Sequence, residues 1–264
     1  MNTFAKQFTA RICLAVLAAS FSTPLLAQET GSEARALRAD ITTVRLDGAI
    51  ELKIKQGNTP EIVLRGDKER FPRVLTLQDG NTLVIKRKGN WLINWIRSWT
   101  YADGPLTVEV TMSALQKIAV QGGAGIGIAG FSGEQMKLDI NGSGDVDFTG
   151  QYKKINAAIQ GSGRIRFAGC TSDEMTLNIN GSGVIEAIGQ TRALTIVVTG
   201  SGTIEAKQLI ADTAAISITG SGKADIFSRQ TIDVSLTGSS NVHVFGKPVH
   251  HQVASIGANN VRFD

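Results

Sequence analysis

Apolar and polar residues alternate over much of this chain, and a short glycine turn interrupts the alternation at regular intervals. In the stretch MTLNINGSGVIEA, Met175, Leu177 and Ile179 share one side before the turn, and Ile185 and Ala187 share it afterwards. Ile155, Ala157 and Ile159 with Ile165 and Phe167 repeat the arrangement, as do Leu194, Ile196 and Val198 with Ile204 and Ala206, and Ile216 and Ile218 with Ala224 and Ile226. A period of two predicts half-buried strands and excludes helical repeats. The first glycines of successive turns are Gly122, Gly142, Gly161, Gly181, Gly200, Gly220, Gly238 and Gly257, so each step is 18 to 20 residues. A spacing this regular signals a solenoid.

Each unit then reads as a strand, a tight glycine corner, a second strand and a return loop. One such coil cannot bury its inner face; stacking on its neighbours does so. Glycine suits the corner because a sharp bend needs positive φ, and because stacked coils bring equivalent corners within about 4.8 Å, where a Cβ would crowd the next turn. The residues just before the corner, Asn141, Gln160, Asn180, Thr199, Thr219 and Thr237, predict a polar ladder along one edge. The fold class expected is all-β: a parallel β-helix, right-handed because parallel crossovers are almost always so. Its last unit replaces the usual corner with Gly257-Ala258-Asn259, as suits a terminal coil. Upstream, residues 41–112 hold strand-like segments such as AIELKIKQG and LTVEVTM that alternate without the period, and they are expected to start the solenoid and close its N-terminal end. Residues 28–264 are thus read as one domain, with residues 113–264 forming the repeating coils.

Residues 1–27 read as a cleaved secretory signal. Lys6 and Arg11 precede an apolar run that is followed by TPLLA, ending in the small Ala27. That run is too short to span a bilayer, and no later run is long enough. The protein is therefore expected to be exported, with the periplasm as its first compartment and a secreted or outer-membrane-associated location as the alternatives. Cys13 leaves with the signal and follows no lipoprotein-like small residue, so Cys170 is the single thiol of the exported chain and has no internal disulfide partner. The formal charge is +4, of which Lys6 and Arg11 supply two. A remainder of about +2 argues against a nucleic-acid partner.

Several residue groups invite a chemical reading. The corner serines, Ser143, Ser162, Ser182, Ser201 and Ser221, lack the glycine spacing and strand-to-helix context of a nucleophile elbow. Asp145 lies within a calcium-repeat-like GSGDVDF, but its equivalents are Arg164, Val184, Thr203, Lys223 and Asn241, which removes a repeated cation site. Asp147, Arg166, Glu186, Glu205, Asp225 and His243 should stack on one outer face, and Glu186 with Glu205 offers an acid–base pair of the kind glycosidases use. The adjacent His250 and His251 point to opposite faces of a strand and so cannot readily share a metal. No cofactor is expected. The segment KRKGNWLINWIRSWTY holds all three tryptophans, Trp91, Trp95 and Trp99, together with Arg97. It reads either as a cap packed on the solenoid or as a contact site for a protein, glycan or membrane surface.

The opening IELKIKQGNTPEIVLRGD, the DGNTLVIKRK hairpin, LTVEVTMSALQKIAVQG, the GSG series and the late VHVFGKP together resemble the head GIN domain, a family described as a putative autotransporter adhesin domain of unknown function. The resemblance covers almost all of residues 28–264. It implies an exported bacterial β-helix, although no membrane barrel of alternating strands follows here. The sequence is thus read as an exported, non-enzymatic binding or structural module, adhesin-like in character. The alternatives are a polysaccharide-processing β-helix enzyme and a peripheral membrane protein anchored through residues 91–99.

Overall fold

The computed structural model describes residues 30–88 and 106–264. They form a parallel β-solenoid of about seven turns. Its strands are β1 (Thr30–Ala36), β2 (Thr43–Asp47), β3 (Glu51–Gln56), β4 (Glu61–Asp67), β5 (Val74–Asp79), β6 (Thr82–Arg87), β7 (Leu106–Met112), β8 (Lys117–Gly122) and β9 (Gly125–Gly142). The regular coils follow as β10 (Asp145–Gly161), β11 (Arg164–Gly181), β12 (Val184–Gly200), β13 (Thr203–Gly220) and β14 (Lys223–Gly238). The last turn comprises β15 (Asn241–Phe245), β16 (His250–Gly257) and β17 (Asn260–Phe263).

Each regular coil is nearly all strand. The return between one corner and the next, expected as a loop, is a bent strand that stays paired with its neighbours. In β11 the buried residues run Ile165 and Phe167, then Cys170 and Ser172, then Met175, Leu177 and Ile179. The alternation slips twice, and the register against β12 shifts between Ala168 and Cys170. A coil therefore has three sides, two short and one long. Gly130, Gly169 and Gly189 turn the second bend of their coils with φ of 84°, 71° and 143°.

The lumen is apolar on the long side, where Ile159, Ile179, Val198, Ile218 and Leu236 stack in register. The second short side admits polar groups, and each is satisfied. Ser172 Oγ lies 3.0 Å from Thr191 Oγ1, and Ser228 Oγ donates to Thr231 O at 2.8 Å. Tyr152 OH donates to Leu115 O at 2.6 Å, and burial pushes its phenol up to about 12. A buried hydroxyl without a partner would cost about 1–3 kcal/mol, so these bonds let the lumen hold polar side chains.

The glycines at the first corner lie between φ of 107° and 129°. A Cβ on Gly142 would stand 2.7 Å from Gly122 O, and one on Gly161 would stand 2.5 Å from Gly142 O. Those carbonyls accept from the next coil: Ser143 N donates to Gly122 O at 3.1 Å, and Ser162 N to Gly142 O at 3.0 Å. The bonds that tie the corners together are thus backbone bonds. The polar side chains just before them, from Asn141 to Thr237, stack in register and face solvent.

At the N-terminal end, chain order and stacking order part company. Strands β2 and β3 pair with β8 and β9 on one side and with β6 and β7 on the other. They form two sides of a coil whose corner is Gly48, with φ 110° and its N–H donating to Gln121 O at 2.9 Å. Beyond β6 and β7 the pairing turns antiparallel, with β5 on β6, β4 on β7 and β1 on β4. This layer closes the end, and Arg35 fastens it by donating to Val74 O at 2.7 Å and Phe71 O at 3.1 Å. At the other end β16 and β17 form the last coil, whose inward positions include His251 and Phe263, their rings tilted to one another with centroids 4.9 Å apart.

Candidate functional site

The outward residues of a solenoid form straight rows, so its surface chemistry can be read side by side. The row after the first corner is charged. Asp147, Arg166, Glu186, Glu205, Asp225 and His243 pair in register, one per coil. Opposite charges within it are already joined. Arg166 reaches Asp147 at 2.9 Å and Glu186 at 3.0 Å, and Arg164 reaches the other Glu186 oxygen at 2.8 Å. The hydrogen bond from Arg166, with smaller contributions from the charges of Arg166 and Arg164, holds the Glu186 carboxyl below its ordinary value of 4.5 despite partial desolvation. A general acid needs its pKa raised, so Glu186 is poorly placed to serve as the proton donor of an acid–base pair with Glu205.

The direction of this shift sets a pH dependence. A carboxylate whose folded pKa is depressed contributes stability above its unfolded value and loses that contribution as pH falls through the folded value. Glu186→Gln should therefore melt below wild type at pH 7, with the gap closing as the buffer is taken well under 4.5. The partners are largely solvated, so the gap should be about 1 kcal/mol or less. Equal gaps at pH 7 and pH 3 would show that the arginine contacts do not stabilise the fold.

The long side presents a different surface. Its outward positions run Asn156 and Ala158, Thr176 and Asn178, Thr195 and Val197, Ala215 and Ser217, then Asp233 and Ser235, with Gln252 and Ala254 in the last coil. Asp233 is the one charged group among them. Along this face lies a shallow depression of about 360 Å³, running over the coils of β12, β13, β14 and β16. Ala215, Ser217 and Ser235 contribute short side chains to it, with Thr195, Asp233 and Gln252 along one row and Val197 and Ala254 along the other. Earlier in the stack, Lys137 and Asp139 occupy the same side and pair with each other at 3.5 Å. On the adjacent outward row Lys154 of β10 and Glu174 of β11 pair at 2.9 Å, so the less charged surface lies over the later coils.

Other sequence candidates sit in varied surroundings. Cys170 is fully buried, and desolvation raises its thiol to about 11, so it is held as an unreactive thiol. His251 points inward at the last coil against Phe263, and its neighbour His250 lies on the opposite side of β16. Among the described residues, no group of three His, Cys, Asp or Glu side chains is arranged to hold a metal. The signal segment and the tryptophan segment with Trp91, Trp95, Trp99 and Arg97 lie outside the described residues. That second segment joins Arg87 to Leu106, the ends of two strands stacked on the pair that Gly48 joins. Sequence reasoning missed both the Gly48 corner and the less charged long side. The first is out of step with the repeat, and the second emerges only when register is known.

Comparison with solved structures finds the same fold in other proteins. A putative adhesin from Parabacteroides merdae matches with a TM-score of 0.80 at 21% identity, over 90% of this chain and 97% of that one. A putative lipid binding protein from Parabacteroides distasonis matches with a TM-score of 0.80 at 20% identity, over 90% and 98%. A putative adhesin from Bacteroides fragilis matches with a TM-score of 0.63 at 16% identity, over 90% and 98%. At these identities the likeness concerns the fold. No curated protein matches the chain. The family model described as "Putative auto-transporter adhesin, head GIN domain" matches residues 40–248, which hold the Gly48 corner, β4 and β5 of the closing layer and the stack from β8 to β15. The chain belongs to that family.

Proposed function

We propose that this protein is an exported, non-enzymatic contact module that presents the less charged long side of its solenoid to a partner. The observation that carries the reading is the contrast between the two faces. The charged row satisfies much of its own electrostatic demand through the Arg164, Arg166, Asp147 and Glu186 cluster. The long side offers a depression of about 360 Å³ whose exposed lining is mainly apolar, with Asp233 as its one charged residue. Adhesin-like binding fits this rigid, extended surface better than hydrolysis, because of the two in-register carboxylate pairs of the charged row, Glu186 with Glu205 and Glu205 with Asp225, the first has its Glu186 member tied to Arg164 and Arg166. The signal-like residues 1–27 support export, with the periplasm as the compartment, and residues 28–264 act as one domain.

A second contact element is the tryptophan segment. Its strand ends, Arg87 and Leu106, flank the corner edge beside Gly48. Tryptophan and arginine are the residues most often found at binding hot spots.

An adhesion assay separates these contributions. Full-length protein is immobilised and tested for retention of fragmented bacterial envelope. Ser217→Arg with Ser235→Arg should remove most retention while leaving melting nearly unchanged, since exposed substitutions usually shift stability by less than about 0.5 kcal/mol. Unaltered retention would reject the long side as the contact surface. Trp91→Ser, Trp95→Ser and Trp99→Ser together should weaken retention at unchanged melting if the segment is a contact element. A melt far below wild type would instead assign these residues to a cap.

A further inference from the structure

We infer that the open end of the solenoid, formed by β16 and β17, pairs with the same end of a second copy of this chain about a two-fold axis through Val253. The inference is independent of the contact reading above, because it concerns the end of the stack and not its long side.

The two ends of the stack are built differently. At the N-terminal end the short helix Lys68–Arg73 buries Phe71 in the core, and the outermost strand β1 carries Glu33 and Arg35, joined at 2.7 Å. Charges on an edge strand discourage further pairing. The other end has neither device. Among the described residues β16 pairs only with β14, which leaves its second backbone edge open, and none of its eight residues is Asp, Glu, Lys or Arg. All eight are exposed, whereas Ile232, Val234 and Leu236, the inward residues in register with His251, Val253 and Ser255, are buried. Val249, Val253, Ile256 and Phe263 are exposed large apolar residues of this last turn, Val249 by 76% and Ile256 by 71%. Every earlier coil covers such positions by stacking.

Symmetry and charge identify the occupant. A two-fold axis running from Val253 across the lumen to the opposite bend sets β16 antiparallel to its own copy and keeps inward residues on the lumen side. Val253 then meets the partner's Val253, His251 meets the partner's Ser255, and Ile256 meets the partner's His250 beside Val249. No like charges are opposed along this strand. The same axis exchanges the two short sides of the coil. Strand β17 therefore lies over residues 246–249 of the other copy and brings Asp264 towards the partner's Lys247. Arg262 is paired with Asp264 at 2.8 Å, so β17 presents no uncompensated cation to that lysine. A head-to-tail contact would instead set the uncharged β16 against the charged β1 and would continue into a filament. An extended peptide from another protein could add to the same edge, but it would make no use of the self-matching order of apolar residues. In the two-fold dimer both long sides face the same way. A contact one coil wide belongs with the small, transient interfaces, so the dimer should be concentration-dependent.

The test is sedimentation of the full-length protein over a range of concentrations. Wild type should pass from monomer to dimer and form nothing larger. Val253→Glu and Val253→Lys should each stay monomeric, because the axis sets residue 253 against its own copy and like charges directly opposite repel. An equimolar mixture of the two variants should recover the dimer, with a Kd about tenfold or more below that of either variant alone. Leu77→Glu, at an exposed position of the closing layer, should dimerise like wild type. Lys247→Glu, which sets two carboxylates across the interface, should weaken the dimer severalfold, while Lys247→Arg should not. This pair lies outside β16 and keeps the test decisive if a Val253 variant melts well below wild type. A wild type that is monomeric throughout, or that grows beyond a dimer, would overturn the inference. So would a dimer indifferent to both Val253→Glu and Lys247→Glu, or monomeric Val253 variants whose mixture stays monomeric.

Discussion

Gly181→Val is expected to destabilise the protein by several kcal/mol and to broaden or split its unfolding transition. Gly181 sits at φ 129°, and a Cβ there would overlap the carbonyl oxygen of Gly161. A β-branched residue is a genuine outlier at such angles, and backbone strain of that kind alone costs about 1–3 kcal/mol. Relief by displacement is also expensive. The peptide on either side is committed to the stack, because Ser182 N donates to Gly161 O at 2.9 Å and Ser201 N donates to Gly181 O at 2.9 Å. Stability in a stacked repeat is close to a sum of coil and interface contributions. Disrupting a central corner should therefore uncouple the coils before it from those after it, and denaturant melts followed by two probes would then fail to coincide. Gly80→Asn provides the contrast. Gly80 has φ 52° with nothing within 4 Å of an added Cβ, and asparagine tolerates that region, so its midpoint should barely move. Equal midpoints for Gly181→Val and wild type would show that the corners are not close-packed.

The solenoid was legible because one physical demand recurs in every coil. A position that needs positive φ and also lies against the preceding corner leaves little choice but glycine, so Gly142 to Gly257 mark the stack in plain text. The second bend escaped notice because its demand is not constant. Gly169 and Gly189 serve two neighbouring coils with positive φ, whereas the coil of β13 sets Leu209 in register with Gly189. Without an invariant residue type the bent strand looks like a loop. The Gly48 coil was hidden for another reason. Its stacking neighbours, β6 with β7 and β8 with β9, both come later in the chain, so no fixed interval links Gly48 to Gly122. The candidate face was half legible. Thr195, Ser217 and Asp233 are ordinary polar residues when read along the chain, and they become one surface only through the register of four coils.

Phe167→Ala is expected to cost about 3–5 kcal/mol, the usual loss for deleting a buried aromatic ring. Phe167 is fully buried, edge-on to Phe148 with ring centroids 5.6 Å apart, and Phe148 in turn lies 6.0 Å from Tyr152. The next coil places Ala187 in register with Phe167, so the inward column steps from a large residue to a small one at that interface. This size step makes a sharper test than the single deletion. Ala187→Phe alone should overpack the lumen at a cost of about 1–3 kcal/mol. Combined with Phe167→Ala, it moves the ring along the axis by one coil spacing, about 4.8 Å, towards the space just vacated. The double variant should then be more stable than the sum of the single losses by about 0.5–3 kcal/mol, as contacting sites show. Chemical denaturation at fixed pH measures all four proteins, and an unchanged m-value would license the comparison. Losses additive to within about 0.3–0.5 kcal/mol, the behaviour of distant sites, would mean that the two side chains do not share one packed lumen and that the register between β11 and β12 is wrong.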